Sequence, residues 1–272
     1  SVKEVDRMDE LAEAIRIQGI DAVVSVGGDG TLEIADALQK KGIPMVVVPK
    51  TIDNDLDKTE VTFGFETAVD FATQALDRLH STAASHGRVM VVEVMGRYAG
   101  WIALHAGISG TANVILIPEI PYDIQKVCQK VKQRMAQGTR ETIVVVAEGA
   151  YPIGGEFSVI SKEVGRAERL GGIGEKVAAE IEELTGKETR VVVLGHLLRG
   201  GSPVASDRLI ALRFGAAAVR AIEAGRSGVM VVLDEPEVRY VPFSEVVGRM
   251  KKVSLNSDVM QTARDLGISF GD

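Results

Sequence analysis

The sequence predicts an α/β fold of doubly wound, mostly parallel sheets, and three observations point there. Short β-branched runs alternate with amphipathic stretches along almost all of the 272 residues. The runs are continuously apolar rather than alternating, as parallel strands covered on both faces require. Several amphipathic stretches end at a glycine suited to a left-handed stop, namely Gly42, Gly138, Gly186 and Gly225. The resulting βαβα order builds one such sheet or two.

In chain order, strands are expected over 22–26, 45–48, 89–94, 114–117, 143–147, 191–194 and 229–233. Helices are expected over 33–41, 66–79, 101–108, 124–137, 174–185, 207–224 and 244–250, with one more ahead of the first strand. No repeat of solenoid period and no proline- or serine-rich linker is present, so composition marks no domain boundary.

Composition removes several function classes. With 46% hydrophobic and 25% charged residues the chain has the material for a core and lacks the signature of disorder. The longest apolar runs, such as 143–147 and 191–194, are too short to cross a bilayer, and the start "SVKEVDRMDE" is charged rather than signal-like. A cytoplasmic protein with no membrane partner is expected. A net charge of −7 argues against nucleic acid as the partner, but not against a small anion held by local arginines. Cys128, the single cysteine, reads as a packed apolar residue of a helix.

In an open parallel sheet the loops leaving the carboxyl ends of the strands share one edge, where ligands bind. The first strand ends in "GGDGT", Gly27 to Thr31. Gly27, Gly28 and Gly30 let backbone N–H groups approach a ligand, and the helix that follows favours an anion, so phosphate is the natural guest. Asp29 repels phosphate unless a divalent cation lies between them, which suggests Mg²⁺ held through a carboxylate and water. The alternative is a tight turn with Asp29 capping the helix.

The second strand ends in "VVVPKTIDNDLDKT", which sets Asp53, Asp55 and Asp57 between Lys50 and Lys58. Neighbouring strands would bring Asp29, Asp53 and Asp55 together across one crevice. Carboxylates that close share a metal, share protons or bind a cation. One set could position Mg²⁺ while another takes a proton from an attacking hydroxyl, the division of labour that phosphoryl transfer requires. A solvated Asx-rich turn is the alternative, for Asp57 above all.

A third strand ends in "EVMGRYAGW", with Arg97 between two glycines. Arg88, Arg190 and Arg199 add further candidates for bidentate phosphate contacts, and His196 lies in the same glycine-flanked loop as Arg199. His80, His86 and His105 show no ligand spacing. No histidine and cysteine cluster supports zinc, and the hydrolase elbow G-x-S-x-G is absent.

Taken in order, "GGDGT", "PKTIDND", "EVMGRYAG", "AEGA" and "GHLLRGGSP" closely resemble the phosphofructokinase family over nearly the whole chain. "GGDGT" is shared with NAD kinases and lipid kinases; "TIDND" is the most specific piece. The resemblance implies two Rossmann-like, mostly parallel domains, a phosphoryl-donor domain of residues 1–64 and 198–245 and a sugar-phosphate domain of residues 65–197 and 246–272. It implies Mg²⁺-dependent transfer from ATP to the 1-hydroxyl of fructose 6-phosphate in glycolysis, or a pyrophosphate-dependent version of the same reaction. Asp53 matches the base that deprotonates the hydroxyl, with Thr51 and Arg97 beside it as catalytic residues. Asp29 matches the magnesium-associated aspartate, and Gly27, Gly28, Asp29, Gly30, Thr31 and Lys50 form the donor side. Thr51, Asp53, Asp55, Met95, Gly96, Arg97 and Glu148 match the sugar-phosphate side, and His196 and Arg199 its ligands within the same subunit. Arg88 and Arg190 match arginines that reach the 6-phosphate across a subunit interface, which implies a homo-oligomer, dimer or tetramer, with shared sites.

Two departures matter. Family members begin with a strand and a "GGD-x-PG-x-N" loop, then an aromatic and basic segment; this chain shows neither, so an amino-terminally truncated form with the first strand-loop unit missing is expected. Loss of a central strand would expose apolar surface and unpaired backbone. A catalytically silent fragment that binds sugar phosphate is then the rival reading. Donor choice is the second departure: pyrophosphate-using relatives tend to carry aspartate at position 30 and lysine at position 50. Gly30 leaves room for the α-phosphate of a nucleotide and favours ATP, whereas Lys50 suits either donor.

Overall fold

Residues Met45–Pro49 are buried at every position, so the sheet that contains them must be covered on both faces. The computed structural model describes residues 7–155, 159–161 and 169–272. Its helices are α1 (Met8–Ile17), α2 (Asp29–Lys40), α3 (Phe65–His86), α4 (Trp101–Ser109), α5 (Ile124–Ala136), α6 (Ile173–Thr185), α7 (Ala205–Glu223) and α8 (Asp258–Asp265). Its strands are β1 (Val23–Gly27), β2 (Met45–Pro49), β3 (Val89–Val94), β4 (Val114–Leu116), β5 (Thr142–Ala147), β6 (Val159–Ser161), β7 (Arg169–Leu170), β8 (Thr189–Val193), β9 (Val229–Asp234) and β10 (Glu237–Pro242). Short 3₁₀ turns occupy Gly195–Arg199 and Phe243–Glu245. No helix among the described residues is long and apolar enough to cross a membrane.

The chain divides into two units. One, Ser1–Glu66 with Pro203–Lys251, holds the sheet β1-β2-β9-β10, parallel except for the antiparallel edge strand β10. Alternate residues of β2 separate its two cores. Met45 and Val47 pack with Ala12 of α1 and Leu32, Ala35 and Leu38 of α2. Val46 and Val48 pack under Ile210, Phe214, Ala217 and Ala221 of α7. The cover stops short of the edge strand β1, where Val24 and Val26 are 38% and 54% exposed.

The other unit, Thr67–Ser202 with Lys252–Asp272, holds an all-parallel sheet in the order β4-β5-β3-β8, and β6 pairs antiparallel with β7. Val89, Val91, Val144 and Val146 meet Val127, Cys128 and Val131 of α5 and Val177 and Ile181 of α6, so Cys128 is a buried core residue. The opposite face carries α4, whose Gly107 admits Ile115 where a Cβ would stand 2.5 Å from its Cδ1.

Gly42, Gly138, Gly186 and Gly225 all take positive φ at helix ends, as expected. The helix expected over 244–250 is absent. Phe243 and Val246 are buried at helical spacing, but the segment makes a single 3₁₀ turn and then bends at Gly248, φ +72°. The true helix lies later, at α8, where the Ser257 side chain accepts from the Met260 amide. Strand β10 has no continuous apolar run, because "EVRYVP" alternates, as an exposed edge strand does.

Candidate functional site

Two sets of strand-end loops carry the candidate residues, one in each unit. In the first unit β1 and β2 are parallel neighbours, with Gly27 opposite Pro49. The Lys50 amide donates to Gly27 O at 2.9 Å, and a Cβ at Gly28 would stand 3.4 Å from Cβ of Thr51. "GGDGT" and "TIDND" are therefore adjacent, as their order in the chain suggested. Gly27 has to be glycine, because any Cβ there would strike the Thr31 side chain at 2.1 Å, whereas Gly30 faces open space. Gly28 is the N-cap of α2 and makes no side-chain cap bond, so Asp29, the first residue of the helix, does not cap it.

The "TIDND" loop folds on its own polar groups. Thr51 Oγ1 accepts from the Asp53 amide at 3.1 Å, Thr62 Oγ1 donates to Thr51 O at 2.8 Å, and Asn54 Oδ1 accepts from the Thr62 amide at 3.1 Å. Asn54 takes φ +51°, a conformation that asparagine adopts more readily than most residues. Burial, then the nearby Asp53 and Asp29 carboxylates, push the Asp55 carboxyl up to about 6, against the hydrogen bond from its own backbone amide and the weaker pull of Lys251. Its Oδ1 is buried with no hydrogen-bond partner. Asp29 and Asp53 thus both lie close enough to act electrostatically on Asp55. Among the described residues no group of three or more His, Cys, Asp and Glu side chains could hold a metal ion by itself.

In the second unit β5, β3 and β8 are neighbours, so Glu148, Met95–Arg97 and His196–Arg199 leave one edge of one sheet side by side. The Glu148 amide donates to Val94 O, the Gly149 amide to Gly96 O and the Leu194 amide to Glu93 O. Gly96 takes φ +134°, and a Cβ at Gly149 would lie 1.8 Å from Arg97 O, so both glycines set the path of the Arg97 loop. Arg97 stands 5.8 Å over the Tyr98 ring, and its Nε is buried with no hydrogen-bond partner. His196 and Arg199 are exposed, while Met95 is buried.

Arg88 and Arg190 are not brought to that edge. They stand at the amino ends of β3 and β8, about 20 Å of strand away from Arg97. Glu188 pairs with both, at 2.9 Å to Arg88 and 2.5 Å to Arg190. The hydrogen bond from Arg88, followed by the charge of Arg190, holds the Glu188 carboxyl below its usual range.

Three residues that the sequence reading passed over support these loops. Asn54 lay inside the acidic motif but drew no role. Lys251 lies one residue past the helix expected over 244–250, and its amide donates to Asp55 O at 2.8 Å. Glu119 accepts from the amides of Gly100 and Val253 at 3.1 and 2.9 Å, closing the loop that begins at Met95. Only the position of Glu119 after "IP" at a strand end hinted at this.

Fold and loops together define a doubly wound α/β protein whose phosphate-suited glycine, aspartate and arginine loops lie at the carboxyl ends of the parallel strands of two sheets. The phosphofructokinase family model matches residues 1–222, and the chain belongs to that family. It is 54% identical over 271 residues to an ATP-dependent 6-phosphofructokinase of Chloroflexus aggregans, covering 100% of this chain and 75% of that protein. It is also 50% identical over 248 residues to a pyrophosphate–fructose 6-phosphate 1-phosphotransferase of Amycolatopsis mediterranei, covering 90% of this chain and 72% of that one. Among solved structures, a pyrophosphate-dependent phosphofructokinase from Nitrosospira multiformis matches with a TM-score of 0.81 and 26% identity, over 99% of this chain and 73% of the other.

Proposed function

We propose that the chain transfers a phosphoryl group from ATP to the 1-hydroxyl of fructose 6-phosphate. The observation that carries this reading is the convergence of Asp29, Asp53 and Asp55 at two abutting strand ends, one of them the glycine-rich start of a helix. Asp53 accepts the proton of the attacking hydroxyl, and Thr51 orders its backbone. Amides at the start of α2, Gly30 and Lys50 receive the donor phosphates. Met95–Arg97, Glu148, His196 and Arg199 hold the sugar phosphate, with the unsatisfied Nε of Arg97 a ready donor.

The donor set suits Mg²⁺. All candidate groups are oxygens, and this ion takes one or two carboxylates with water and substrate phosphates rather than an all-protein cage. Asp29 would hold it, and when bound it neutralises charge on the transferring phosphoryl group. Arg88 and Arg190, on the far edge of their sheet, serve a site in a second copy of the chain.

ATP is favoured over pyrophosphate because Gly30 faces open space, and of the two relatives quoted the one at the higher identity carries the ATP-dependent name. Comparison of kcat/KM with the two donors, fructose 6-phosphate held constant, tests the reading. A higher value with pyrophosphate overturns the donor assignment, and no turnover with either returns the chain to sugar-phosphate binding alone.

A further inference from the structure

Lys251 takes no part in the chemistry just described, yet it is tied to the acidic loop at several points. Its ammonium, half-buried, lies 2.8 Å from Asn54 Oδ1, 2.9 Å from Thr59 O and 2.9 Å from Glu60 O, as many acceptors as it has donors. Its backbone amide holds Asp55 O, and its neighbour Met250 bridges antiparallel to Leu56. Asn54 stands between Asp53 and Asp55 with φ +51°, and its Oδ1 also accepts from the Thr62 amide.

We infer that Lys251 is the positioning residue of the acidic loop: it pins Asn54 in the left-handed conformation and so sets the backbone from which Asp53 and Asp55 project. A neutral spacer would not serve. The two carbonyls and the amide oxygen all point acceptors at one place, and removing the donor would leave them facing each other without compensation. The inference rests on the proposed phosphoryl-transfer reading, because only there does the placement of Asp53 matter to a rate.

Asp55, Asp57 and Glu60 are the carboxylates that face the ammonium, and burial outweighs them, bringing its pKa down to about 8. Above that pH the amine loses one of its three donors. Arginine stays protonated throughout and keeps the ties if it is accommodated.

The test compares the parent chain with Lys251→Met and Lys251→Arg. Two measurements are made, kcat and KM as functions of pH, and amide hydrogen exchange. In Lys251→Met, kcat should fall roughly 10- to 100-fold with KM for both substrates changed far less, as expected when reacting groups are misplaced by about 1 Å. The Thr62 and Asp53 amides should exchange at least about tenfold faster while Val47 in β2 keeps its protection. Lys251→Arg should restore most of kcat and lose the parent's decline above about pH 8. The inference is overturned if Lys251→Met leaves kcat or the loop amides as in the parent, or if β2 loosens equally with the loop. It is overturned too if Lys251→Arg keeps the alkaline limb. Should the parent itself show no turnover, the functional reading fails, and selective loosening of the loop amides still decides whether Lys251 positions them.

Discussion

At neutral pH the ionised Asp55 opposes folding. Its carboxyl titrates near 6 in the folded chain, against about 3.9 when unfolded, so the native state binds more protons between those values. Stability contributed by this group therefore falls as pH rises from about 4 to 6, and the cost is complete above 6. Asp55→Asn should raise stability at pH 7.5 by about 1 to 3 kcal/mol, with the gain vanishing near pH 4, as thermal unfolding at the two pH values would show. If the gain were equal at both, a cause other than titration would be at work. Asp53→Asn should lower kcat by about 10²- to 10⁴-fold and change KM for fructose 6-phosphate little, since a general base acts on the reaction and not on ground-state contacts. A rate within a few-fold of the parent sinks that role. Gly30→Asp should be tolerated by the fold, because the position is open, while use of ATP drops and use of pyrophosphate does not. Retained ATP use would show that another residue selects the donor.

Among the elements, the loop after β3 depends on what the loop after β5 leaves out. A methyl at Gly149 would meet the backbone of Arg97 at 1.8 Å from O and 2.6 Å from C, neither of which can rotate away. Gly149→Ala should cost roughly 1 to 3 kcal/mol and raise KM for fructose 6-phosphate, with both read from denaturant unfolding and steady-state kinetics. A change in stability without any change in KM would detach this loop from substrate. The same elements show why part of the fold was legible in the sequence. β2, β3 and β5 are buried on both faces and spell this out as unbroken apolar runs, and the glycines that end α2 and α5 stand where the periodicity stops. β10 and α8 were not legible, since each has one exposed face and few apolar residues. The acidic loop could be read as a motif, because its chemistry is local. Its tie to Lys251 could not: nothing in a pair of lysines 191 to 197 residues beyond the loop says that one of them is buried.

For the whole molecule the expectation is that Arg190 serves a second copy. A mixture of Asp53→Asn and Arg190→Ala chains, each poorly active alone, should regain turnover when dissociated and reassembled together. Sites that pair an intact Asp53 from one chain with an intact Arg190 from another account for the gain. Failure to regain any activity would assign Arg190 to its own chain or remove it from the site. The strand that separates Arg88 from Arg97 gives this arrangement a further consequence. Six residues of β3 fix the interval between them at about 20 Å. Under the shared-site reading, that strand is a gauge between the pocket a protomer owns and the one it lends. One residue more would turn the far side chains to the opposite face of the sheet, and two would push the ends about 7 Å further apart. Descendants of this chain can therefore vary their surface loops in length, but not this count.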